Sequence, residues 1–215
     1  MKIDKFFQDS YIRKNKNTFG SKCDGVCTGL SLTWIEANVK HGEFKNHVKQ
    51  PTITQKVSEY QNNYATNPFS LLADGNQEDS SVFAKIAYED GFRRWGQKTN
   101  YILTRVEGST GGVGEKRKCM LNELVWSMTS MNAGSVVYGI VLLMGEKDGH
   151  AMAWTQQNRM YDFFDPNFGI YSDIKEEKLF NFISSHIKKH YKKLNYTWTT
   201  AKFTKLLTSP TPRPA

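Results

Sequence analysis

Cysteine is scarce in this sequence, with three among 215 residues, at positions 23, 27 and 119. So small and odd a number excludes a disulfide-stapled scaffold, leaves at least one free thiol, and fits a reducing working compartment. Long apolar runs are also missing. Met1 to Asp9 hold no stretch of signal-peptide length, and the longest apolar candidate, Val136 to Met144, is strand-sized rather than membrane-spanning. Injected effectors and segments cut from larger toxins use export routes without a Sec-type signal, so secretion stays open. Acidic residues fall short of basic ones, 21 against 29, giving a net charge of +8. The excess concentrates between Ile174 and Lys205, where eight lysines face only Glu176 and Glu177. Such a patch suits an anionic membrane face or an acidic partner, or simply a solvated helix face that maintains solubility; charge alone names no partner. No specific nucleic-acid site is expected.

The length suffices for one domain with a core of its own, and 39% hydrophobic with 13% aromatic residues places the chain among globular proteins. Proline is sparse except in Ser209-Pro210-Thr211-Pro212-Arg213-Pro214-Ala215, which reads as extended linker. The expected organisation is an N-terminal arm over 1–19, one folded domain over 20–207 and a disordered Pro-rich tail over 208–215.

Leu30, Trp34 and Ala37 share one side of a helix beginning at Cys27. A second helix is expected after the capping candidates Asp79, Ser80 and Ser81, carrying Val82, Phe83, Ile86 and Ala87 and stopping at Asp90-Gly91. A third runs through Met120, Leu121, Leu124, Val125 and Met128. From Val136 the texture becomes β-rich: an apolar strand to Leu142, a short strand over His150 to Trp154, a turn at Gln156 to Arg159, and a strand over Met160 to Phe164. A helix from about Asp173 to Lys189, with Leu179, Phe182, Ile183 and Ile187 at helical spacing, precedes a closing strand at Tyr196 to Thr200. The expected class is α+β, a helical N-terminal half packed on a C-terminal antiparallel sheet.

Three segments carry chemistry. In Gly25-Val26-Cys27-Thr28-Gly29 the thiol sits at a helix start, where unpaired N–H groups lower a thiol's pKa, and the flanking glycines leave room for a substrate backbone. Burial as a small core residue is the competing role for Cys27. His150 opens an apolar strand and can hold a thiolate in an ion pair, then protonate a leaving amine. Asp165, fifteen residues later and followed by Pro166-Asn167, ends the next strand, within reach of the imidazole; it suits both tautomer control and turn initiation. Cys23-x-x-x-Cys27 and His186-x-x-x-His190 lack the partners of a zinc site, so no metal is expected, and the two histidines are read as surface residues of a basic helix. The glycine-rich stretch Gly108 to Gly114 lacks the lysine and hydroxyl of a phosphate loop and reads as a mobile loop bordering the cleft.

The order Cys, His, Asp resembles that of papain-like hydrolases. More narrowly, Gly-Val-Cys-Thr-Gly-Leu-Ser-Leu-Thr-Trp around Cys27, Gly-His-Ala-Met-Ala around His150 and Phe-Phe-Asp-Pro-Asn-Phe-Gly around Asp165 resemble the YopT-like cysteine proteases, over about residues 20 to 200. The resemblance implies a papain-like cysteine protease fold and a bacterial virulence protease, translocated and acting in the host cytosol. Its triad would be Cys27, His150 and Asp165, its substrate a host protein such as a membrane-associated GTPase or a kinase, and it would need no cofactor. Papain-fold enzymes pair the nucleophile's N–H with a side-chain amide a few residues upstream. Here that stretch holds Ser21 and Lys22, with no Asn or Gln nearer than Asn17, so Cys27, Ser21 and Lys22 are the oxyanion candidates. Two other readings stay open: a papain-fold peptidoglycan amidase, and an interaction module binding a host partner or an anionic membrane.

Overall fold

The computed structural model describes residues 1–20, 23, 25–38, 43–64, 77–110, 116–129, 136–145, 149–194 and 197–206, and at 77–87, 109–110, 116–120 and 197 the backbone alone. Ser21, Lys22, Asp24, 111–115 of the glycine-rich stretch and the Pro-rich tail lie outside the described residues, as does the side chain of Cys119.

Among the described residues seven strands form one sheet: β1 (Lys2–Asp4), β2 (Tyr101–Thr110), β3 (Val137–Met144), β4 (Gly149–Gln157), β5 (Met160–Asp165), β6 (Gly169–Lys175) and β7 (Thr197–Lys205). Their order is β1-β6-β5-β4-β3-β7-β2, with every neighbouring pair antiparallel. The helices are α1 (Gln8–Lys14), α2 (Lys16–Phe19), α3 (Cys27–Ala37), α4 (Phe44–His47), α5 (Pro51–Tyr64), α6 (Gln77–Thr99), α7 (Lys116–Thr129) and α8 (Glu176–His190).

Side chains alternate across a strand, so each face of the sheet collects its own core. Tyr138, Ile140, Leu142, Ala151, Ala153 and Phe164 join Leu30, Trp34, Val57 and Trp95 of the N-terminal helices. Val137, Val141, Leu143, Met152, Trp154 and Phe163 join Leu124 and Met128 of α7 and Leu179, Ile183 and Ile187 of α8. Both faces of the middle strands are thus covered. This explains why β3 reads as an uninterrupted apolar run rather than as alternation, its eight residues all being buried. Each large side chain so buried contributes about 1.5–3 kcal/mol. The sequence expectation of helices packed on one sheet holds, and the C-terminal helices add a second layer.

Several boundaries differ from expectation: β4 runs on to Gln157, β7 to Lys205, and Gly108–Thr110 of the expected loop end β2. The second helix runs through Asp90-Gly91 to Thr99, because Tyr88, Phe92 and Trp95 continue its buried stripe. Burying them outweighs the roughly 1 kcal/mol that a mid-helix glycine costs. The last helix starts at Glu176 rather than Asp173, since Gly169–Lys175 is a strand held between β5 and β1. Gly169, at φ 126°, lies where an added Cβ would come within 2.1 Å of the Asp4 carbonyl, so that passage beside β1 requires glycine. Between β4 and β5 the turn residues Asn158 and Arg159 both have positive φ, 52° and 61°. That pairing is the hairpin geometry that sets the register of β5 on β4.

Candidate active site

The site forms at the strand ends, where α3 from one layer meets β4 and β5. Cys27 is the first residue of α3, so its own N–H has no partner inside the helix. Neighbours supply the caps that local side chains do not. The Val26 N–H donates to Gln8 Oε1 at 3.2 Å and the Gly29 N–H to Gln61 Oε1 at 3.0 Å. Gly29 does not face substrate: a Cβ there would lie 2.1 Å from the Val57 carbonyl, so its smallness lets α5 pack against α3. Gly25 remains open, its nearest contact being Gln8 Oε1 at 3.9 Å.

His150 and Asp165 belong to neighbouring strands, and the imidazole Nε2 donates to Asp165 Oδ1 at 3.0 Å. That leaves Nδ1 toward the Cys27 thiol, which lines the same pocket and interacts electrostatically with the ring. Burial pushes the half-buried thiol up. The imidazole and the N–H groups of Ala151 and Thr28 outweigh it, and the thiol ends below its ordinary value. Burial likewise works against a charged imidazole, yet the hydrogen bonds from Asp165 and Cys27 hold His150 up to about 9. Asp165 is fully buried, and burial disfavours its charge, but the two imidazoles bonded to it keep the carboxyl well below the usual range. The electrostatics therefore favour thiolate, imidazolium and carboxylate together. A pocket of about 130 Å³ opens on this group, lined by Cys27, Thr28, Gln61, Tyr88, His150 and neighbouring backbone.

Asp165 has more partners than a turn or a triad alone needs. The Asn167 N–H donates to Oδ1 at 2.9 Å, which closes the turn. The Tyr191 hydroxyl lies 2.8 and 2.7 Å from the two oxygens, and His186 Nε2 donates to Oδ2 at 2.6 Å. The reading of His186 as a surface residue is therefore corrected: it is 6% exposed, because the apolar stripe of α8 turns it toward the carboxylate. Tyr191 also stacks on His150, with ring centroids 4.6 Å apart and planes 18° from parallel. Its hydroxyl is pushed far up by burial and by the adjacent carboxylate, so it stays a donor.

Three residues were invisible to sequence reading. Gln8 sits in the N-terminal segment, where a lone glutamine gives no signal. It binds Val26 through Oε1 and Asn167 through Nε2, and its backbone N–H donates to the Pro166 carbonyl at 2.8 Å. One side chain thereby ties the approach to Cys27 to the turn after Asp165. Gln61 brings a side-chain amide to the pocket from α5, which follows Cys27 in the chain, rather than from the stretch before it. Tyr191 follows α8, and nothing in its sequence surroundings announces a role. Cys23 is a free thiol whose sulfur donates to the Gly25 carbonyl at 3.6 Å and stands outside this group.

The sequence pattern of the peptidase C58 family, the Yersinia/Haemophilus virulence surface antigen, matches residues 3–203. Among curated proteins none matches the sequence. Among solved structures the chain is similar to the Pseudomonas avirulence protein AvrPphB, with TM-score 0.61 and 16% identity over 84% of this chain and 92% of that one. Two others align more loosely, both at TM-score 0.47, too distant to argue from. PatoxP, a cysteine protease-like domain of the Photorhabdus asymbiotica toxin PaTox, is 12% identical over 94% of this chain and 53% of its own. The ubiquitin-specific protease of murine cytomegalovirus tegument protein M48 is 14% identical over 98% and 90%.

Proposed function

This chain belongs to the peptidase C58 family and is a papain-like cysteine peptidase, and from that premise we propose that it cleaves a peptide bond in a host protein with Cys27, His150 and Asp165 as its triad. The observation that carries the reading is the hydrogen bond from His150 Nε2 to Asp165 at 3.0 Å with the Cys27 thiol in the same pocket as the ring, the thiol lowered and the imidazole raised. The thiolate attacks the scissile carbonyl carbon, and the charge moves to the carbonyl oxygen. The Cys27 N–H and the side-chain amide of Gln61 stabilise that oxyanion, Gln61 standing in for the missing upstream amide. The tetrahedral species collapses as the imidazolium of His150 gives its proton to the leaving amine, which departs and leaves a thioester on Cys27. Water then attacks the thioester, His150 takes the water's proton, and the acid product leaves with the thiolate and imidazolium restored.

The protein acts in the host cytosol after translocation, and its basic C-terminal region meets an anionic membrane surface. Support comes from the virulence-antigen family, from the lysines of α8 and from the resemblance to proteases of membrane-associated GTPases and kinases. The test is a search for new N-termini in host cells expressing wild type or Cys27→Ala, with epoxide-inhibitor labelling of the purified protein in parallel. Wild type alone should create neo-N-termini and label at Cys27. Equal profiles, or labelling that persists in Cys27→Ala, would overturn the assignment. Release of fragments from cell-wall sacculi instead of host proteins would favour the amidase.

A further inference from the structure

Behind Asp165, on the side away from Cys27, a trough of about 860 Å³ runs between α8 and the β1–β6 edge of the sheet. One stripe of α8 lines it: Lys178, Asn181, Phe182, Ser185, His186 and Lys189, at the spacing of a single helix face. Lys175 adds a third ammonium, and Ile3, Tyr171 and Ile174 form the opposite wall. The one acid lining the trough, Asp173, is paired with Lys2 at 3.4 Å. Among the described residues no carboxylate lies within 4.0 Å of Lys175, Lys178 or Lys189. Three unpaired ammonium groups around a concave, partly aromatic surface suit a phosphate-bearing group. The inner wall of this trough is His186, whose Nε2 is bonded to the catalytic carboxylate.

We propose that the trough is a binding site for a phosphate-bearing ligand, free or as a lipid headgroup, and that its occupancy lowers the reactivity of Cys27 through His186 and Asp165. With Nε2 committed to Asp165, His186 can donate to a phosphate only from its other nitrogen, and both nitrogens are donors only in the imidazolium. A phosphate bound at that nitrogen therefore favours the imidazolium over either neutral tautomer and sets a second cation against Asp165. The titratable groups in contact with His186 are the Asp165 carboxylate from β5, His190 of α8, Tyr191 just after it and Tyr171 from β6; of these the carboxylate is the one hydrogen-bonded to the ring and takes the added charge. As it does, Asp165 holds His150 less firmly, and the thiolate–imidazolium pair loses population. This relay rests on the proposed triad; the binding itself does not.

The test uses the whole chain and two probes, soluble inositol trisphosphate and phosphatidylcholine vesicles carrying phosphatidylinositol bisphosphate, with plain phosphatidylcholine vesicles as reference. Calorimetry in buffers of different ionisation enthalpy reads binding and proton uptake for the soluble probe, and co-sedimentation reads the vesicles. The rate of Cys27 labelling reads the relay. At least one probe should bind, with proton uptake in the soluble case, and should slow labelling at neutral pH about three- to tenfold, up to one pKa unit's worth. Binding confined to one probe identifies the source of the phosphate. K178E/K189E should lose binding, whereas His186→Gln should bind more weakly, and saturating probe should change its Cys27 labelling less than about twofold relative to the same variant without probe. Absence of binding by both probes, or equal binding by K178E/K189E, would overturn the site. Binding that leaves wild-type labelling unchanged would overturn the relay. If Cys27 labels under no condition, the protease assignment fails instead, while the binding measurements still decide the site.

Discussion

The two sides of Asp165 differ in size, charge and design. In front lies a pocket of about 130 Å³ that holds the thiol, the imidazole and one amide; behind lies a trough of about 860 Å³ walled by lysines and aromatic rings. The front is built from the start of a helix and the end of a strand, places where backbone N–H groups are available to a sulfur or an oxyanion. The back is one face of an amphipathic helix whose polar members His186 and Tyr191, the latter just past its end, reach in to the same carboxylate. In the proposed reaction the front would hold the scissile bond, and the carboxylate that orients His150 is held from the other side by His186 and Tyr191.

If that division is right, changes in front should remove turnover and changes behind should only modulate it. The largest effect is expected for Asp165→Asn. The amide keeps the shape but presents the wrong donor to Nε2, and kcat should fall by about 10³–10⁴ in a peptide-hydrolysis assay. Full activity in that variant would mean that the carboxylate serves the turn alone. Gln61→Ala should lower kcat about 10²-fold with KM little changed, the expected signature of a lost oxyanion donor. A rise in KM alone would reassign Gln61 to substrate binding.

A pH series sharpens the comparison further. The proton that His150 must give to the leaving amine is held up to about 9, so peptide hydrolysis should decline as pH rises through that value. The acid limb should lie below the ordinary thiol range, following the lowered Cys27. Stability follows the same group: folding raises His150 above its ordinary 6.5, so its contribution is complete below that pH and is lost as pH climbs through about 9. Denaturant midpoints measured across that window check the sign. The smallest catalytic effect is expected behind Asp165. Tyr191→Phe removes a buried hydrogen bond to a charged group and should cost about 1.5–3 kcal/mol of stability, with kcat reduced less than about tenfold. A loss as large as that of Asp165→Asn would erase the distinction between the two sides.

Much of the front was legible in the sequence, since each piece carries a local signal. Cys27 stands where a polar stretch gives way to helical periodicity, His150 opens a short apolar strand, and Asp165 precedes a proline at a strand end. The hairpin between β4 and β5 follows from its turn residues, which is why the imidazole and the carboxylate come together as expected. Little of the back was legible. His186 looked like one polar residue among the lysines of α8, because periodicity tells which residues share a face but not which face meets a buried carboxylate. β1 and β6 escaped for the same reason: three residues at the chain's start pair with a strand about 170 positions away, and no local pattern encodes a partner at that distance.

The sequence by itself determined the helix that begins at Cys27, the strands that carry His150 and Asp165, and the surplus of lysine near the C-terminus, because each rests on neighbouring residues and backbone preference. Tertiary structure alone decided that Gln8 and Gln61 cap the helix that begins at Cys27, that His186 and Tyr191 hold Asp165 from behind, and that three lysines surround a cavity. Those facts depend on which surfaces meet once two apolar layers close over the sheet, and burial, being non-directional, fixes such meetings only through the packing of the whole molecule.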